Sequence, residues 1–354
     1  GGQTQATSTP SPVVQSGGQT QATSAELLVG SWNVESGGSD ARVVGRRITE
    51  LNGVDLWGLV EVGNDQDAAI LETAAEQGRG VDFARVISRS GNRDRMVILY
   101  NADRFTLLGQ DELEYINLGG TTRAPLLVQL RDRQSGQELV FMVNHLNRGD
   151  ADRRHDQGAL LNEWAINDTR PAIAVGDYNF DWALKNGDEN HDLGYDYMTA
   201  QNEWHWVRPP ELTTTQCSGW PCRYNSLLDF IFTANGAQQW PAHSQIISVP
   251  GDFPDDDKRS DHRPVLAWFE LSVAGANPPT PTAQPTPPPT PEAVGLTILE
   301  VNKVEEYVTL KNSGSQAVKL SGWVLRSERG NQNCRLDGVL AAGQHPADRA
   351  GDGD

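Results

Sequence analysis

The chain has 354 residues, a formal net charge of −18 at pH 7 and 37% hydrophobic residues. This length fits one large domain with a smaller one, and the acidity argues against a protein that coats nucleic acid through basic patches. An enzyme that acts on nucleic acid stays open, because a metal ion can supply local positive charge. No run of eighteen apolar residues occurs, so the sequence predicts no membrane span.

Two low-complexity tracts bracket one block of globular sequence. Residues 1–24 consist mainly of Gln, Thr, Ser and Gly, contain the octet GGQTQATS twice, and are expected to be disordered. Residues 276–292 form a linker rich in Pro and Thr, which is expected to be extended as polyproline II. These tracts predict a large domain at 25–275 and a small module at 293–354.

Within the large domain, strand-like apolar runs alternate with amphipathic helical patterns. The helical patterns cover residues 41–52, 65–77 and 151–167. The strand patterns are LLVGSWNV, VDLWGLVEV, RMVILYN, APLLVQL, LVFMVNHL, AIAVGDYN, SLLDFIFT and PVLAWFEL. Many strands with few helices between them predict two β-sheets packed face to face with helices outside, although periodicity alone does not separate α/β from α+β.

Two of the three cysteines lie close together in a stretch typical of a loop. Gly219 and Pro221 lie between Cys217 and Cys222 and favour a turn that would close a short disulfide. Two free thiols or a metal-binding pair are the alternatives, and a metal site would need further Cys or His residues nearby. Cys334 has no neighbouring cysteine in the sequence.

Polar residues able to carry chemistry lie at the ends of the apolar strands. In chain order they are Asn33, Glu61, His145, Asp177, Asn179, Asp229, Asp261 and His262. A single Asp or His at a strand end is most often a turn or capping residue. A whole series of them is harder to explain in that way, because strand ends that converge at one edge of a sandwich are a usual place for a site.

The motifs SWNVE, LVEV, VNHL, GDYN, LLDFIF and SDHRPV occur in this order and resemble the endonuclease/exonuclease/phosphatase superfamily over residues 27–271. The resemblance implies an α+β fold of four layers, in which two packed mixed β-sheets are flanked by helices. It also implies a hydrolase of phosphodiester bonds that depends on Mg²⁺, with Mn²⁺ as a substitute.

The resemblance assigns a metal side to the site. Glu61 matches the acidic metal ligand, Asn33 lies beside it in the metal pocket, and Asp261 completes this side. Carboxylate and amide oxygens suit Mg²⁺, which keeps several waters and binds substrate phosphate. The alternative interpretation is that Glu61 is a solvated carboxylate at the end of a strand and has no role in metal binding.

The resemblance also assigns the groups that activate water. His262 and Asp229 resemble the family's histidine–carboxylate pair, in which the carboxylate fixes the tautomer and raises the basicity of the other ring nitrogen. Asp177 would orient or deprotonate the water. Asn179 would donate a hydrogen bond to a phosphoryl oxygen that gains charge.

A second histidine is expected at the phosphate. His145 matches the family residue that binds phosphate or protonates the leaving oxygen, and Asp94 lies where pancreatic-type deoxyribonucleases have its carboxylate partner. That partner is Asp rather than Glu here, so its reach is shorter. Arg123 matches an arginine that contacts phosphate, with a merely solvated arginine as the alternative. Gly63 stands where those enzymes have an arginine for the DNA minor groove, so groove reading is expected to differ.

The C-terminal module has the strand alternation of a small β domain. The segment YVTLKNSGSQAVKLSGWVL resembles the lamin-tail domain, an immunoglobulin-like β-sandwich that often accompanies nucleases of this superfamily in exported bacterial proteins. The match covers only residues 296–326 well. An incomplete sandwich followed by a disordered tail is therefore expected.

These features together predict a secreted, monomeric nuclease that hydrolyses nucleic acid, with DNA as the expected substrate. The alternative is a phosphodiesterase or phosphatase on a lipid or small substrate such as sphingomyelin or an inositol phosphate, which would use the same core groups. The loops at 185–198 and 248–261 are acidic and lack an apolar tip for a membrane, and no dense Lys/Arg cluster occurs for several phosphates. A non-catalytic binding protein would have lost at least one catalytic position, and none is missing.

Overall fold

A computed structural model of the protein describes residues 24–119, 123–217, 222, 226–252, 258–273, 296–302, 307–312, 314, 317–320, 324–326, 333–336 and 338–342. The chain divides into two compact units, Gly1–Pro278 and Pro279–Asp354. The predicted linker at 276–292, and all of the predicted leader except Ser24, lie outside the described residues. The disorder expected there and the four domain boundaries stay predictions.

The first unit contains twelve strands and four α-helices among its described residues. The strands are β1 (Ser24–Asn33), β2 (Leu56–Val62), β3 (Phe83–Ile87), β4 (Arg95–Asn101), β5 (Phe105–Glu112), β6 (Leu126–Asp132), β7 (Glu138–His145), β8 (Ala172–Ala183), β9 (Trp204–Trp206), β10 (Ser226–Ala234), β11 (Ala242–Ile246) and β12 (Val265–Ser272). The helices are α1 (Ala41–Glu50), α2 (Asp65–Arg79), α3 (Ala151–Asn167) and α4 (Leu193–Thr199). Three 3₁₀ turns span Glu114–Asn117, Ala200–Asn202 and Asn235–Gln239.

The twelve strands form two six-stranded sheets, and each is mixed. The first has the order β11-β12-β1-β2-β4-β3 and the second the order β5-β6-β7-β8-β10-β9. Only β1–β2 in the first sheet and β7–β8 in the second are parallel neighbours. The parallel pairs lie at the centre of each sheet and are joined by helical crossovers, as parallel pairing requires.

The sheets pack face to face, and their inner faces form the main core. Val29, Val60 and Ile98 of the first sheet join Val143 and Val175 of the second in one buried cluster. On the outer face of the first sheet, a second cluster is formed with residues of α1 and α2. On the outer face of the second sheet, Trp164 of α3 stacks on Trp204. The fold is therefore the α+β arrangement of four layers that the sequence predicted, with two packed mixed sheets flanked by helices.

Side-chain caps fix where the helices begin, and this matters because two of them follow strands that end in the site. Asn64, two residues after the end of β2, accepts hydrogen bonds from the backbone N–H groups of Gln66 and Asp67, and Gly80 ends α2 in the left-handed conformation. Asp150 caps α3 in the same way by accepting from Arg153 N. Both caps set the direction in which the chain leaves the sheet edge.

The second unit contains three short antiparallel pairs among its described residues. They are β13 (Leu296–Asn302) with β14 (Tyr307–Asn312), β15 (Val318–Lys319) with β18 (Val339–Leu340), and β16 (Val324–Arg326) with β17 (Asn333–Arg335). The buried Asn312 side chain donates to Leu340 O. These pairs show a small β module, whereas its immunoglobulin-like and lamin-tail character stays a prediction.

Candidate active site

Three neighbouring strands of the second sheet place a histidine and two aspartates side by side. His145 on β7 is the register partner of Asp177 on β8, and Asp177 is in turn the partner of Asp229 on β10. All three side chains are buried. Direct partners in a sheet lie about 4.5–5.5 Å apart at Cβ, so the strand register alone brings these three residues into one row.

The first sheet supplies the facing half of the site. Asn33 is the last residue of β1, and Glu61 lies where the pairing of β2 with β4 is irregular, between Leu59 and Val62. The backbone of Glu61 has φ +59°, in the left-handed region that a non-glycine residue rarely adopts. Such outliers cost energy and are concentrated at functional sites. The irregular pairing between Leu59 and Val62 changes the direction in which the Glu61 side chain leaves the strand.

The Asn33 amide joins the two halves. Its Nδ2 donates to Glu61 Oε1 at 2.9 Å and to Asp177 Oδ2 at 3.1 Å, and it lies 3.5 Å from His262 Nε2. Asn33 is itself held in place, because its Oδ1 accepts from Glu35 N at 3.0 Å. One amide therefore contacts groups from both sheets and fixes their separation.

His262 is held from two directions. Its Nδ1 lies 2.8 Å from Asp229 Oδ2, its backbone N donates to Ser260 Oγ at 3.0 Å, and its carbonyl accepts from Trp32 Nε1 at 2.9 Å. Nε2 faces the site, 3.7 Å from Asp177 Oδ2. Burial alone lowers the pKa of this imidazole, but the adjacent carboxylates, Asp229 first among them, raise it well above its ordinary value. The arrangement is a histidine–carboxylate pair with one ring nitrogen available to a substrate or water.

Asp261 directly precedes His262 in the chain, and its carboxylate lies beside the imidazole. Its Oδ1 is 3.9 Å from His262 Nε2, its Oδ2 accepts from Gln216 Nε2 at 2.7 Å, and its backbone N donates to Glu35 Oε2 at 2.9 Å. Oδ1 of Asp261 therefore faces the His262 ring, while Oδ2 is hydrogen-bonded to Gln216.

His145, Asp94 and Arg123 form a second set of ionisable groups. His145 Nδ1 lies 3.4 Å from Asp94 Oδ1, and the Arg123 guanidinium pairs with the other oxygen of Asp94. Burial raises the pKa of the Asp94 carboxyl, but the contacts with His145 and Arg123 outweigh it and lower the pKa below its ordinary value. The separation of 3.4 Å is longer than a well-formed hydrogen bond, in keeping with the shorter reach expected of Asp at this position.

Asn179 lies two residues beyond Asp177 and also has positive φ, +54°. Its backbone N donates to Asp177 Oδ1 at 3.1 Å, and its Nδ2 donates to Leu146 O at 3.2 Å. One amide hydrogen is thereby engaged, and the second remains for a ligand. The predicted contact of Asn179 with a phosphoryl oxygen stays a prediction.

The donor set suits a hard divalent cation. Donor atoms of Glu61, His145 and Asp177 lie within 4.8 Å of one another, and so do those of Asp177, Asp229 and His262. His145 Nε2 is 3.8 Å from Glu61 Oε1 and 3.7 Å from Asp177 Oδ2. Converging carboxylates repel one another unless a cation lies between them, and oxygen-rich sites favour Mg²⁺ or Mn²⁺. Asp261, expected as a ligand, is in neither group.

The sequence-predicted residues therefore meet in one place. Those brought together are Asn33, Glu61, Asp94, Arg123, His145, Asp177, Asn179, Asp229, Asp261 and His262. Glu35, Gln216 and Ser260 also hold this cluster and were not predicted. Glu35 stands in the quoted motif SWNVE, so its position was visible, whereas nothing in the sequence around Gln216 indicates its contact.

Cys217 and Cys222 are joined by a disulfide, which settles the three alternatives that the sequence left open. Cys217 is buried, and its backbone N donates to Asp261 O at 2.8 Å. The disulfide therefore lies next to the residues around His262.

Solved structures share this fold at low sequence identity. An endonuclease/exonuclease/phosphatase family protein from Bacteroides thetaiotaomicron has a TM-score of 0.54 and 16% identity, and the match covers 71% of this chain and 100% of that one. D. rerio TDP2 in complex with a single-strand DNA product has a TM-score of 0.55 and 18% identity, covering 69% and 99%. A mannosyl-6-phosphatase from B. thetaiotaomicron has a TM-score of 0.50 and 16% identity, covering 68% and 98%.

Comparison of the sequence with curated proteins gives no match. The family model described as "Endonuclease/Exonuclease/phosphatase family" matches residues 30–262, which span the site from Asn33 to His262. Members of this family are hydrolases of phosphoester bonds. The chain belongs to the endonuclease/exonuclease/phosphatase family.

Proposed function

We propose that this protein is a secreted nuclease that depends on Mg²⁺, or on Mn²⁺ as a substitute, and hydrolyses phosphodiester bonds of nucleic acid, with DNA as the substrate. The observation that carries the proposal is the junction of Asn33, Glu61 and Asp177 next to the His262–Asp229 pair. It combines donors for a hard cation with a buried, oriented base, and hydrolysis of a phosphodiester needs both.

The residues have separate tasks in this reaction. His262, oriented by Asp229, takes a proton in its neutral form from the water whose oxygen attacks phosphorus, and Asp177 orients that water. The bond from phosphorus to the leaving oxygen breaks on the opposite side, and His145 supplies a proton there. Glu61, with Asn33 and Asp261 beside it, would hold the metal, which neutralises charge on the phosphate oxygens when bound.

Two exposed arginines that lie close to Asp94 and His145 in the sequence support a polyanionic substrate. Arg93 directly precedes Asp94, and Arg148 follows His145 by three residues; both side chains are exposed. Neither makes an ion pair or hydrogen bond through its side chain with any described residue. In a protein of net charge −18, unpaired cations at this position favour contact with a polyanion.

The disulfide between Cys217 and Cys222 supports an extracellular location, because such bonds persist mainly in oxidising compartments. In the described part of the chain, no helix is both long and apolar enough to cross a bilayer. We further propose that the protein acts as a monomer.

The test is cleavage of supercoiled plasmid and of a linear single strand with Mg²⁺, with Mn²⁺ and with chelator. Wild type is compared with His262→Ala, and His243→Ala is the matched control, because His243 is an exposed residue of β11 that stacks on Trp268. Metal-dependent cleavage lost only in His262→Ala is expected. Absence of cleavage under every metal condition refutes the nuclease, and sphingomyelin and inositol phosphates then test the alternative reaction on the same site.

A further inference from the structure

A short segment before β10 contacts residues 261–263, the stretch of chain that contains His262. This segment, Thr213–Cys217, is called the strap below. Arg263 N donates to Thr215 O at 2.8 Å, Cys217 N donates to Asp261 O at 2.8 Å, and Gln216 forms an isolated antiparallel bridge with His262. The backbone on both sides of His262 is thereby paired with the strap.

The strap also contacts the strand that carries Asp229. Thr215 is fully buried, and its Oγ1 accepts from Leu228 N at 3.0 Å and from Asp229 N at 3.3 Å. These N–H groups lie where the pairing of β10 with β8 is irregular, between Leu227 and Asp229. A hydroxyl at that point satisfies donors that the irregular ladder leaves unpaired.

The side chain of Gln216 contacts the carboxylate of Asp261. Its Nε2 donates to Asp261 Oδ2 at 2.7 Å, and the residue is only 3% exposed. An amide can donate to a carboxylate without adding charge, so the contact restricts the rotation of the Asp261 side chain. With Oδ2 engaged, Oδ1 is the oxygen left facing His262.

The strap is fixed to its surroundings at both ends. Arg263 Nη1 donates to Thr213 Oγ1 at 3.1 Å and to Thr214 O at 3.0 Å, and Thr214 Oγ1 donates to Ser226 O at 2.9 Å. The disulfide to Cys222 holds the other end. A segment with so many fixed points can define the position of a side chain more closely than a mobile loop can.

We propose that Gln216 is a positioning residue that, held by the strap, orients the Asp261 carboxylate toward the metal side of the site. The inference rests on the proposed function in one respect, the presence of a divalent cation at this cluster. Outer partners of metal-site carboxylates commonly change metal affinity about 10- to 100-fold when they are removed.

The test measures metal binding directly, without substrate. Gln216→Met keeps the approximate volume and removes the donor, and Mn²⁺ binding to the intact chain is followed by the loss of the free Mn²⁺ signal in electron paramagnetic resonance. We expect a weakening of about 10-fold or more. Gln238→Met is the matched control. Gln238 lies in the 3₁₀ turn after β10, and it donates to the backbone carbonyls of Asn202 and Glu203 rather than to a residue of the cluster. This control should bind Mn²⁺ like wild type.

A double-mutant experiment distinguishes a positioning role of Gln216 from a role in packing alone. If Gln216 acts through Asp261, then adding Gln216→Met to Asp261→Asn weakens Mn²⁺ binding little further, whereas independent effects would add. Should Gln216→Met not fold, Gln216→Asn, which retracts the amide by one methylene, carries the same expectation.

The outcomes separate this inference from the proposed nuclease activity. A folded Gln216→Met with wild-type Mn²⁺ affinity overturns the positioning role and leaves the nuclease proposal intact. Weakened Mn²⁺ binding in that variant, with no nucleic acid cleavage by wild type, supports the positioning role and refutes the nuclease. A wild-type protein that binds no Mn²⁺ overturns both.

Discussion

Arg104 holds together two buried carboxylates in the core of the catalytic unit. Its Nε and Nη2 donate to the two oxygens of Asp132 at 3.0 Å each, and its Nη1 donates to Asp55 Oδ2 and to Glu26 O at 2.6 Å each. The side chains of Arg104, Asp55 and Asp132 are 2%, 3% and 0% exposed. These contacts join the start of β5 to residues of β1, of β6 and of the turn before β2.

Replacing Arg104 with Met removes the only cation that contacts Asp132 among the described residues. The variant leaves two carboxylates in the interior, and breaking a buried pair in this way costs about 3–5 kcal/mol. For a domain of this size, each kcal/mol lowers the melting temperature by about 2–4 °C, so a decrease of about 6–20 °C is expected. Asp55 keeps its ion pair with Arg79, so Asp132 is the carboxylate left without a cation among the described residues. Adding Asp132→Asn should therefore recover part of the loss, because it removes that charge.

Urea unfolding followed by circular dichroism measures this loss of stability. Arg85→Met is the matched control, because Arg85 pairs with Glu72 and is 36% exposed at its side chain. Exposed pairs contribute about 0–1 kcal/mol. If the unfolding free energy of Arg104→Met falls no further than that of Arg85→Met, then the reasoning about the buried network is wrong.

The pH dependence of the unfolding free energy provides an independent check of this reasoning. Burial raises the pKa of the Asp132 carboxyl, but Arg104 outweighs burial and holds the pKa below its ordinary value. In wild type, this group therefore contributes stability above its unfolded pKa of about 3.9 and loses it as the pH falls through the folded pKa. Without Arg104, burial raises the folded pKa, and acid relieves the penalty. The difference between the two proteins should be largest near neutral pH and shrink as the pH falls toward the unfolded pKa of about 3.9 and then below it.

Three further predictions concern the site. Asp229→Asn should lower kcat for plasmid nicking by about 100-fold or more, because the imidazole of His262 loses its orienting carboxylate. An unchanged kcat would exclude His262 as the base. Glu61→Gln should raise the Mn²⁺ concentration that gives half-maximal nicking by at least about 10-fold, and an unchanged Mn²⁺ titration would place the cation elsewhere. Asp94→Ala should lower kcat about 10- to 100-fold, the usual effect of removing an outer partner of a site residue, because His145 loses the carboxylate that lies 3.4 Å from its Nδ1. A change confined to KM would contradict a role through His145.

The sequence predicted the central strands and missed the edges. The eight predicted strands correspond to β1, β2, β4, β6, β7, β8, β10 and β12. The four that were not predicted, β3, β5, β9 and β11, are the edge strands of the two sheets. Edge strands are short or face solvent, as the largely exposed β5 shows, so they lack the continuous apolar runs that mark a strand between two others.

The same division holds for the site. The groups that would carry the chemistry stand at the ends of central strands and could be predicted from the motifs, whereas their supports could not. Gln216 reaches Asp261 across 45 residues of sequence, and Ser260 donates to Asn33 O across 227. Such contacts depend on how loops return to the sheet edge, and no local pattern encodes that.

The separation of the two halves of the site is set in the core beneath it. Gly58 on β2 precedes Glu61 by three residues, and it faces Val143 and Val175, which precede His145 and Asp177 by two residues each. A Cβ at Gly58 would lie 2.2 Å from a methyl carbon of Val175 and 2.8 Å from one of Val143. At position 58 the sheets are therefore too close together for a residue larger than glycine. The Asn33 amide donates to both Glu61 and Asp177, which follow Gly58 and Val175 on the same two strands. We therefore expect a side chain at position 58 to push the sheets apart and to disturb the geometry of the site.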